Sequence, residues 1–351
     1  MSWQDYFEDC FLDYYEHGDP EAEHDVIYRY KDQLVIKLPD NLPMPPTTDL
    51  NGLFCKCDSL QDISALAKWD VSNVTHMDSM FCGCHQLQDI TALSYWNVSS
   101  VRHMETMFSG CKQLKDITPL ANWDVSNVKD MTWMFQICDE LQDITALANW
   151  DVFNVKSMYS MFNGCKQLKN ITALANWDVS NVEDMNEMFS ACYQLQDISA
   201  LANWDVSNVK DMHQLFGWCK QLKDISALAN WNVSNVKDMG GMFQYCKQLE
   251  DITALANWDV SKVKKMSCIF DGCVLLPSYL QTSASHIEKY IHKYNFDAYK
   301  KETNQQITTL QKENAELKTR LAYLEEKIDS VMSQFSAPSK ARTSYTEVEL
   351  P

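Results

Sequence analysis

The sequence predicts a repeat solenoid of the α+β class, built from short parallel strands and one-turn helices, followed by a C-terminal α-helical coiled coil. A tryptophan recurs every 27 residues without insertion or deletion, at Trp69, Trp96, Trp123, Trp150, Trp177, Trp204, Trp231 and Trp258. Phenylalanines from Phe81 to Phe270 and cysteines from Cys84 to Cys273 keep the same step. Such periods indicate stacked units that share one core, because a single unit buries too little surface to fold alone.

One repeat unit reads W-D-V-S-N-V-K-D-M-x-x-M-F-x-x-C-x-Q-L-x-D-I-T-A-L-A-N, and its positions are numbered here from the tryptophan, +0. Apolar residues fall at +2, +5, +8, +11, +12, +15, +18, +21 and +24. This spacing fits neither a long amphipathic helix nor an alternating strand. It predicts a coil that turns repeatedly, with a one-turn helix at M-F-x-x-C and strand-like segments at V-S-N-V and L-x-D-I.

The repeats are expected to span residues 51–276, as eight 27-residue units and a partial first one. Their motif, W-D-V-S-N-V-x-D-M-x-x-M-F-x-x-C-x-x-L, resembles the BspA-type leucine-rich repeat of mycoplasma-type surface lipoproteins, which also occurs in protists and large DNA viruses. The resemblance implies a leucine-rich-repeat-like solenoid with a role in adhesion or protein binding. The chain lacks the signal peptide and lipidation motif of the bacterial members, which favours an intracellular or viral origin.

Residues 1–50 are expected to form a cap over the first coil. Residues 2–17 have the apolar spacing of an amphipathic helix, with Ser2 as a candidate N-cap and Gly18 as a stop. Residues 26–38 suggest a hairpin, and a proline-rich connector follows at Pro39–Pro46. Terminal repeats need such covers to stay soluble.

Heptads in residues 307–335 predict a coiled coil within residues 301–335. Its interior positions are Ile307, Asn314, Leu321 and Ile328 at a, and Leu310, Leu317, Leu324 and Val331 at d. A single Asn at an a position favours a parallel dimer, so the expected partner is a second copy of the chain. The alternative is a helix packed on its own solenoid. A linker or helix at residues 277–300 and a flexible tail at residues 336–351 flank the heptads.

The charge argues against nucleic acid as a partner. The net charge is −18, and the acidic excess lies in residues 1–276, since residues 277–351 hold ten acidic and ten basic residues. Such a surface repels phosphate. The N-terminus lacks the basic and apolar regions of a secretory signal, and no apolar run is long enough to span a membrane. We expect a cytoplasmic protein with reduced thiols, or one carried on a virion.

The recurring polar residues are interpreted as structural. The cysteine ladder from Cys57 to Cys273 is expected to be buried thiol, because its spacing lacks the C-x₂-C and histidine pattern of zinc sites. Asp at +20 is expected to cap nearby amides, and Asn at +4 to bond between coils. The sequence offers no catalytic constellation, so no enzymatic activity, cofactor or metal is expected.

Positions +9, +10, +13 and +14 vary between units, whereas the apolar positions do not. The residues there that break the repeat consensus form the candidate strip: Trp133, Ile137, Tyr159, Glu187, His213, Gln214, Trp218 and Tyr245. Exposed aromatic residues often anchor interfaces. We therefore expect a non-enzymatic protein-binding or structural scaffold; the alternatives are a surface adhesin or virion attachment protein, and an enzyme with an unrecognised site.

Overall fold

A computed structural model describes residues 11–14, 27–30, 32, 34–276 and 309–328. The chain divides into two units, Met1–Lys293 and Tyr294–Pro351, which are considered separately below. The first contains the solenoid, whose buried residues form one continuous hydrophobic core from Tyr30 to Leu276.

Each coil contains a short 3₁₀ helix, which lies in the T/S-A-L segment and not at M-F-x-x-C as predicted. Within the described residues these helices are Ser64–Lys68, Thr91–Leu93, Thr118–Leu120, Thr145–Asn149, Thr172–Asn176, Ser199–Asn203, Ser226–Leu228 and Thr253–Asn257. Each begins directly after the isoleucine at +21. The side chain at +20 accepts a hydrogen bond from the amide two residues later, as between Asp143 and Thr145 at 2.8 Å, which confirms the predicted cap.

The M-F-x-x-C segment is a run of turns, because its amides donate hydrogen bonds alternately to the following coil and to their own coil. Amides at +8, +10, +12 and +14 donate to carbonyls of the following coil, as from Phe162 to Met188 at 2.9 Å. Amides at +11, +13 and +15 donate within their own coil, as from Cys165 to Phe162 at 3.1 Å. A helix would use all of these amides internally, so the bonds between coils exclude it.

The prediction of strand-like segments at V-S-N-V and L-x-D-I was also largely wrong. V-S-N-V is a turn, with the Val182 amide donating to the Val179 carbonyl at 2.9 Å. Between the coils, parallel pairing is limited to isolated bridges, chiefly at +7, such as Asp184 with Asp211. Three-residue apolar spacing places consecutive inward side chains one turn apart, which leaves no extended run for a strand ladder.

The core consists of residues stacked on their own counterparts. Rings from Phe54 to Phe270 stack with neighbouring centroids 5.6–5.8 Å apart. Each repeat tryptophan is buried, and its indole Nε1 donates to a leucine carbonyl of the preceding coil, as from Trp177 to Leu147 at 2.9 Å. The repeat tryptophan therefore fills the core and also adds a second hydrogen bond to a carbonyl that already accepts a backbone amide, as Leu147 accepts that of Trp150 at 3.1 Å.

The cysteine ladder is buried and reduced, as expected. Sγ of each cysteine from Cys84 to Cys273 donates to a phenylalanine carbonyl of the preceding coil at 3.0–3.3 Å. Burial raises the pKa of these thiols, to about 12 for Cys273 and well above the usual value for central members such as Cys165. A protonated thiol is a poor nucleophile, so these side chains are inert.

The N-terminal helix predicted over residues 2–17 is wrong where the structure describes it. Phe11–Tyr14 (β1) pairs antiparallel with Ile27–Tyr30 (β2), so the hairpin expected within 26–38 is wrong as well. The aromatic residues of β1 favour strand when a partner is available. Tyr30 still acts as a cap: it is buried, its amide donates to Leu53 at 2.8 Å, and its ring lies 5.7 Å from Phe54. The rest of 1–26 lies outside the described residues.

The solenoid begins earlier than residue 51. Leu42 lies 27 residues before Trp69 and takes the place of the repeat tryptophan; it is buried, and its carbonyl accepts from Trp69 Nε1 at 3.1 Å. Leu38 is also fully buried. The proline-rich connector is therefore part of an incomplete first coil, which lacks the tryptophan that would identify it in the sequence.

The second unit contains a helix over residues 309–328, within the predicted coiled coil. Its d and a side chains are exposed in the single chain; Leu317 is 62% and Leu324 51% exposed. Ile307 and Val331, like the linker at 277–300 and the tail at 336–351, lie outside the described residues. The dimer stays a prediction.

Thiol labelling tests the core. With a maleimide at neutral pH, we expect fast reaction at the exposed Cys268 and slow reaction at the buried ladder from Cys57 to Cys273. The reason is that the ladder thiols are shielded from the reagent and protonated. Mass spectrometry of labelled peptides, with a denatured sample as the control, measures both sets. Native labelling of most ladder cysteines would contradict the buried stack.

Candidate functional site

Two positions in every coil have left-handed backbone, and both lie among the variable positions of the repeat. The bonds between coils place the residues at +10 and +14 at positive φ throughout the solenoid. Glycine is the residue that adopts this conformation without steric cost, and it occupies Gly83, Gly110, Gly164, Gly241 and Gly272. A side chain with a Cβ is strained there by roughly 1 kcal/mol or more.

Six members of the candidate strip occupy these left-handed positions, although glycine would fit them better. Their φ angles are 56° at Trp133, 56° at Ile137, 56° at Glu187, 47° at Gln214, 63° at Trp218 and 58° at Tyr245. Ile137 is the most unfavourable, because a β-branched side chain rarely adopts positive φ. Tyr159 and His213 lie at +9, beside them. The stack has no need of these bulky residues.

The aromatic members form two pairs along the candidate strip. Trp133 lies 5.2 Å from Tyr159 between ring centroids, and Trp218 stacks on Tyr245 at 4.0 Å. The ammonium of Lys220 lies 5.9 Å from the Trp218 ring and 3.8 Å from the Tyr193 ring. The second pair therefore belongs to a larger aromatic and cationic cluster than the sequence indicated.

Exposure differs between the two tryptophans. Trp218 is 37% and Ile137 39% exposed, whereas the core residue Trp177 is 4% exposed. Trp133 is only partly exposed, because Tyr159 covers one side of it. Of the two tryptophans in the candidate strip, Trp218 is therefore the more exposed.

Glycines in the following coil make room for the bulky side chains. A Cβ on Gly272 would overlap the Tyr245 ring, and one on Gly164 would lie 3.3 Å from Cγ1 of Ile137. Tyr245 and Ile137 thus each lie over a glycine of the next coil. The arrangement orders Tyr245 and Ile137 in place, so a ligand would meet a preformed apolar surface.

The polar residues of the candidate strip form hydrogen bonds or close contacts with side chains of neighbouring coils. Glu187 Oε2 accepts from Asn163 Nδ2 at 2.8 Å and from Ser160 Oγ at 3.2 Å. Gln214 Nε2 donates to Gln244 Oε1 at 3.2 Å, and His213 Nδ1 lies 3.6 Å from Asp238 Oδ1. These contacts link neighbouring coils, so the aromatic half of the candidate strip is the better candidate for binding.

Sequence reasoning missed two exposed aromatic residues outside the variable segment. Tyr95 is 91% exposed and lines a groove of about 420 Å³ with Asp62 and Ser64; Phe153 is 48% exposed. Both replace the polar residue that most units carry at the same position. Comparing every position of the repeat, and not only +9 to +14, would have found them.

The asparagine ladder is structural, as expected. Nδ2 of Asn127, for example, donates to the Ser99 carbonyl at 2.8 Å, and Asn181 to the Phe153 carbonyl at 2.9 Å. The same bond recurs at Asn154, Asn208 and Asn235. These amides connect successive coils along the turn that follows each tryptophan.

Stacked coils with a shared core and a variable surface define the protein as a repeat solenoid. The chain belongs to the family described as "Mycoplasma protein of unknown function, DUF285", which matches residues 48–170, 140–227 and 192–309. This match confirms the resemblance to mycoplasma-type repeats that the motif indicated. No curated protein matches the sequence.

Two solved structures are similar to this chain over most of its length. One is a leucine-rich cell surface protein from Faecalibacterium prausnitzii A2-165, at 15% identity and a TM-score of 0.34, covering 76% of this chain and 81% of that one. The other is a leucine-rich-repeat protein from Bacteroides ovatus ATCC 8483, at 14% identity and a TM-score of 0.25, covering 76% and 92%. Across the described residues, no helix has the length and apolar character needed to cross a bilayer.

Backbone strain at the candidate strip can be measured at Ile137. We expect the variant Ile137→Gly to be more stable than Ile137→Ala by about 1 kcal/mol, because glycine alone relieves the positive φ. At an ordinary exposed position the order is reversed. Chemical denaturation of both variants measures the difference, and an alanine variant of equal or greater stability would show that the site is unstrained.

Proposed function

We propose that the protein is a non-enzymatic scaffold whose solenoid binds a protein partner through the candidate strip, centred on Trp218 and Tyr245. The observation that carries this proposal is the placement of bulky residues on left-handed backbone. Glycine would be more stable at these positions, so the large side chains weaken the fold in return for the surface that they create. Strain of this kind tends to concentrate at functional sites.

The chemistry of the cluster fits a protein surface. Tryptophan and tyrosine supply large contact areas with few rotatable bonds, which is why they dominate interface hot spots. Lys220 adds a cation beside the rings in a chain whose net charge is −18. A partner segment with an apolar side chain flanked by a carboxylate would match this arrangement.

The helix over residues 309–328 supports a second part of the proposal, in which a parallel coiled coil joins two copies of the scaffold. Leu310, Leu317, Leu321, Leu324 and Ile328 are each more than half exposed in the single chain. Packing them against a second helix removes this apolar surface from water. Two solenoids on one dimer would bind a repeated partner more tightly than one, through effective concentration.

The alternative function is adhesion, with the same surface displayed on a cell or a virion. It differs from the scaffold in location and not in binding chemistry. Protease treatment of intact cells or particles separates the two, because only a displayed protein is digested. An enzymatic role is the least supported alternative.

The partner surface is tested by comparing proteins captured from a source lysate by three forms of the chain. We expect the unmodified protein and the variant Phe153→Ser to capture the same partner, and Trp218→Ser to lose it. Removal of a hot-spot tryptophan weakens binding by about 2 kcal/mol or more. Quantitative mass spectrometry measures the capture, and thermal unfolding checks that each variant is folded. Equal capture by Trp218→Ser would place the interface elsewhere.

The dimer is tested by light scattering on the full chain. We expect twice the chain mass, and the chain mass alone for the double variant Leu317→Glu, Leu324→Glu, because two charges would enter the apolar seam. Thr319→Glu, on the outer face of the same helix, should stay dimeric. A monomeric full-length chain, or a dimer that survives the double variant, would refute the coiled coil.

A further inference from the structure

Three metal-ligating side chains converge on two neighbouring coils, away from the candidate strip's aromatic pairs. Asp78 lies at +9 of its coil, and His103 and Glu105 at +7 and +9 of the next. One ligand atom from each lies within 4.8 Å of the other two, and all three side chains are partly buried. The distance from His103 Nδ1 to Glu105 Oε1 is 4.0 Å.

The three side chains converge because the backbone amide at +9 takes its cap from a different residue in these two coils than in others. In four of the eight full coils an aspartate at +7 accepts from its own +9 amide: Asp130, Asp184, Asp211 and Asp238, at 2.8–2.9 Å. His76 and His103 replace that aspartate in two consecutive coils. The +9 side chain of the coil before then supplies the cap: Asn51 Oδ1 accepts from Asp78, and Asp78 Oδ1 accepts from Glu105 at 2.8 Å.

This exchange brings the Asp78 carboxylate between two coils and next to an imidazole. The stack does not require a carboxylate at this place, because in other coils an aspartate at +7 caps the same amide. The His76 and His103 rings lie parallel with centroids 4.6 Å apart, and His76 Nδ1 is hydrogen-bonded to Thr75 Oγ1 at 2.9 Å. The two histidines therefore hold each other in fixed orientations, which orders His103 beside the carboxylates.

Apart from His103 itself, no basic side chain of the described residues pairs with the two carboxylates of the cluster. Among the described residues, no lysine or arginine forms an ion pair with Asp78 or Glu105, whereas Lys265 lies 3.0 Å from Asp238 further along the same row. Burial, with Asp49 and Asp130 adding repulsion, raises the pKa of Asp78 to about 6; burial, Asp130 and Asp78 raise that of Glu105. A cation would relieve both penalties.

We propose that Asp78, His103 and Glu105 form a binding site for a divalent transition metal ion such as Zn²⁺. One imidazole nitrogen and two carboxylates are a donor set that zinc and its neighbours accept, whereas calcium prefers oxygen donors alone. Three protein ligands leave a coordination position open at the partly exposed surface, for water or for a ligand from another molecule. Asp78, His103 and Glu105 are not members of the candidate strip, although Asp78 and Glu105 share its position +9, and the metal site does not depend on partner binding.

Calorimetric titration of the intact chain with Zn²⁺ tests the site. We expect one ion per chain with these ligands, and at least about tenfold weaker binding in His103→Ala and Asp78→Asn, since even second-shell changes cost that much. Asp78→Asn is the sharper variant, because Asn51 shows that an asparagine at +9 retains the cap on the next coil. Asp78→Asn removes the carboxylate charge and keeps the hydrogen bond that caps the next coil, so the fold is retained.

His213→Ala is the matched control, because His213 also faces a carboxylate, and Lys265 already neutralises that carboxylate. It should bind Zn²⁺ as the unmodified chain does. Co²⁺ separates the proposed ligands from thiols, since cysteine ligation adds an intense near-ultraviolet charge-transfer band. The proposal is overturned by absence of binding, by unchanged affinity in both site variants, or by a thiolate band that persists in Asp78→Asn.

Discussion

The structure depends on the contact of each residue with its own counterpart one coil away. Phenylalanine stacks on phenylalanine at about the same distance throughout, and amides at +8, +10, +12 and +14 meet the carbonyls of the next coil in one register. A unit of different length would break every one of these contacts at once. This constraint explains why eight units keep a step of 27 residues without insertion or deletion.

The same constraint determines where side chains are free to vary. Donation to the next coil places left-handed backbone at +10 and +14, and apart from the buried Ser160 the side chains there are at least partly exposed. Glycine fits this backbone without steric strain, yet many of these positions carry other residues, from Ser79 and Ala191 to bulky side chains. Trp218 and Ile137 are bulky residues at such positions, and at +7 His76 and His103 replace an aspartate of other coils. The candidate surface and the candidate metal site therefore both use residues that differ from those at the same positions in neighbouring coils.

Much of this could be predicted from the sequence, because a strict repeat exposes which positions are shared. The buried cysteines, the Asp caps and the Asn bonds between coils follow from recurrence alone. The turn structure of M-F-x-x-C could not be predicted, because Met and Phe have helical spacing and the competing bonds come from the next coil. The strand ending at the cap residue Tyr30 was missed for a similar reason. Its partner Phe11–Tyr14 (β1) has apolar residues at helical spacing, and the pairing between the two segments cannot be read from that spacing. Leu42 was missed because it replaces the one residue that marks each coil.

The most direct measurement of the register constraint compares two insertions at the boundary between Asn176 and Trp177. One variant receives a single glycine, and the other a second copy of residues 177–203. If each coil is held by its counterpart, the complete unit will leave the thermal stability equal or higher, because it adds one more stacking interface. The single glycine will lower the thermal stability, since the insertion shifts the register of one coil against its neighbours. A single insertion tolerated as well as a whole unit would contradict the account.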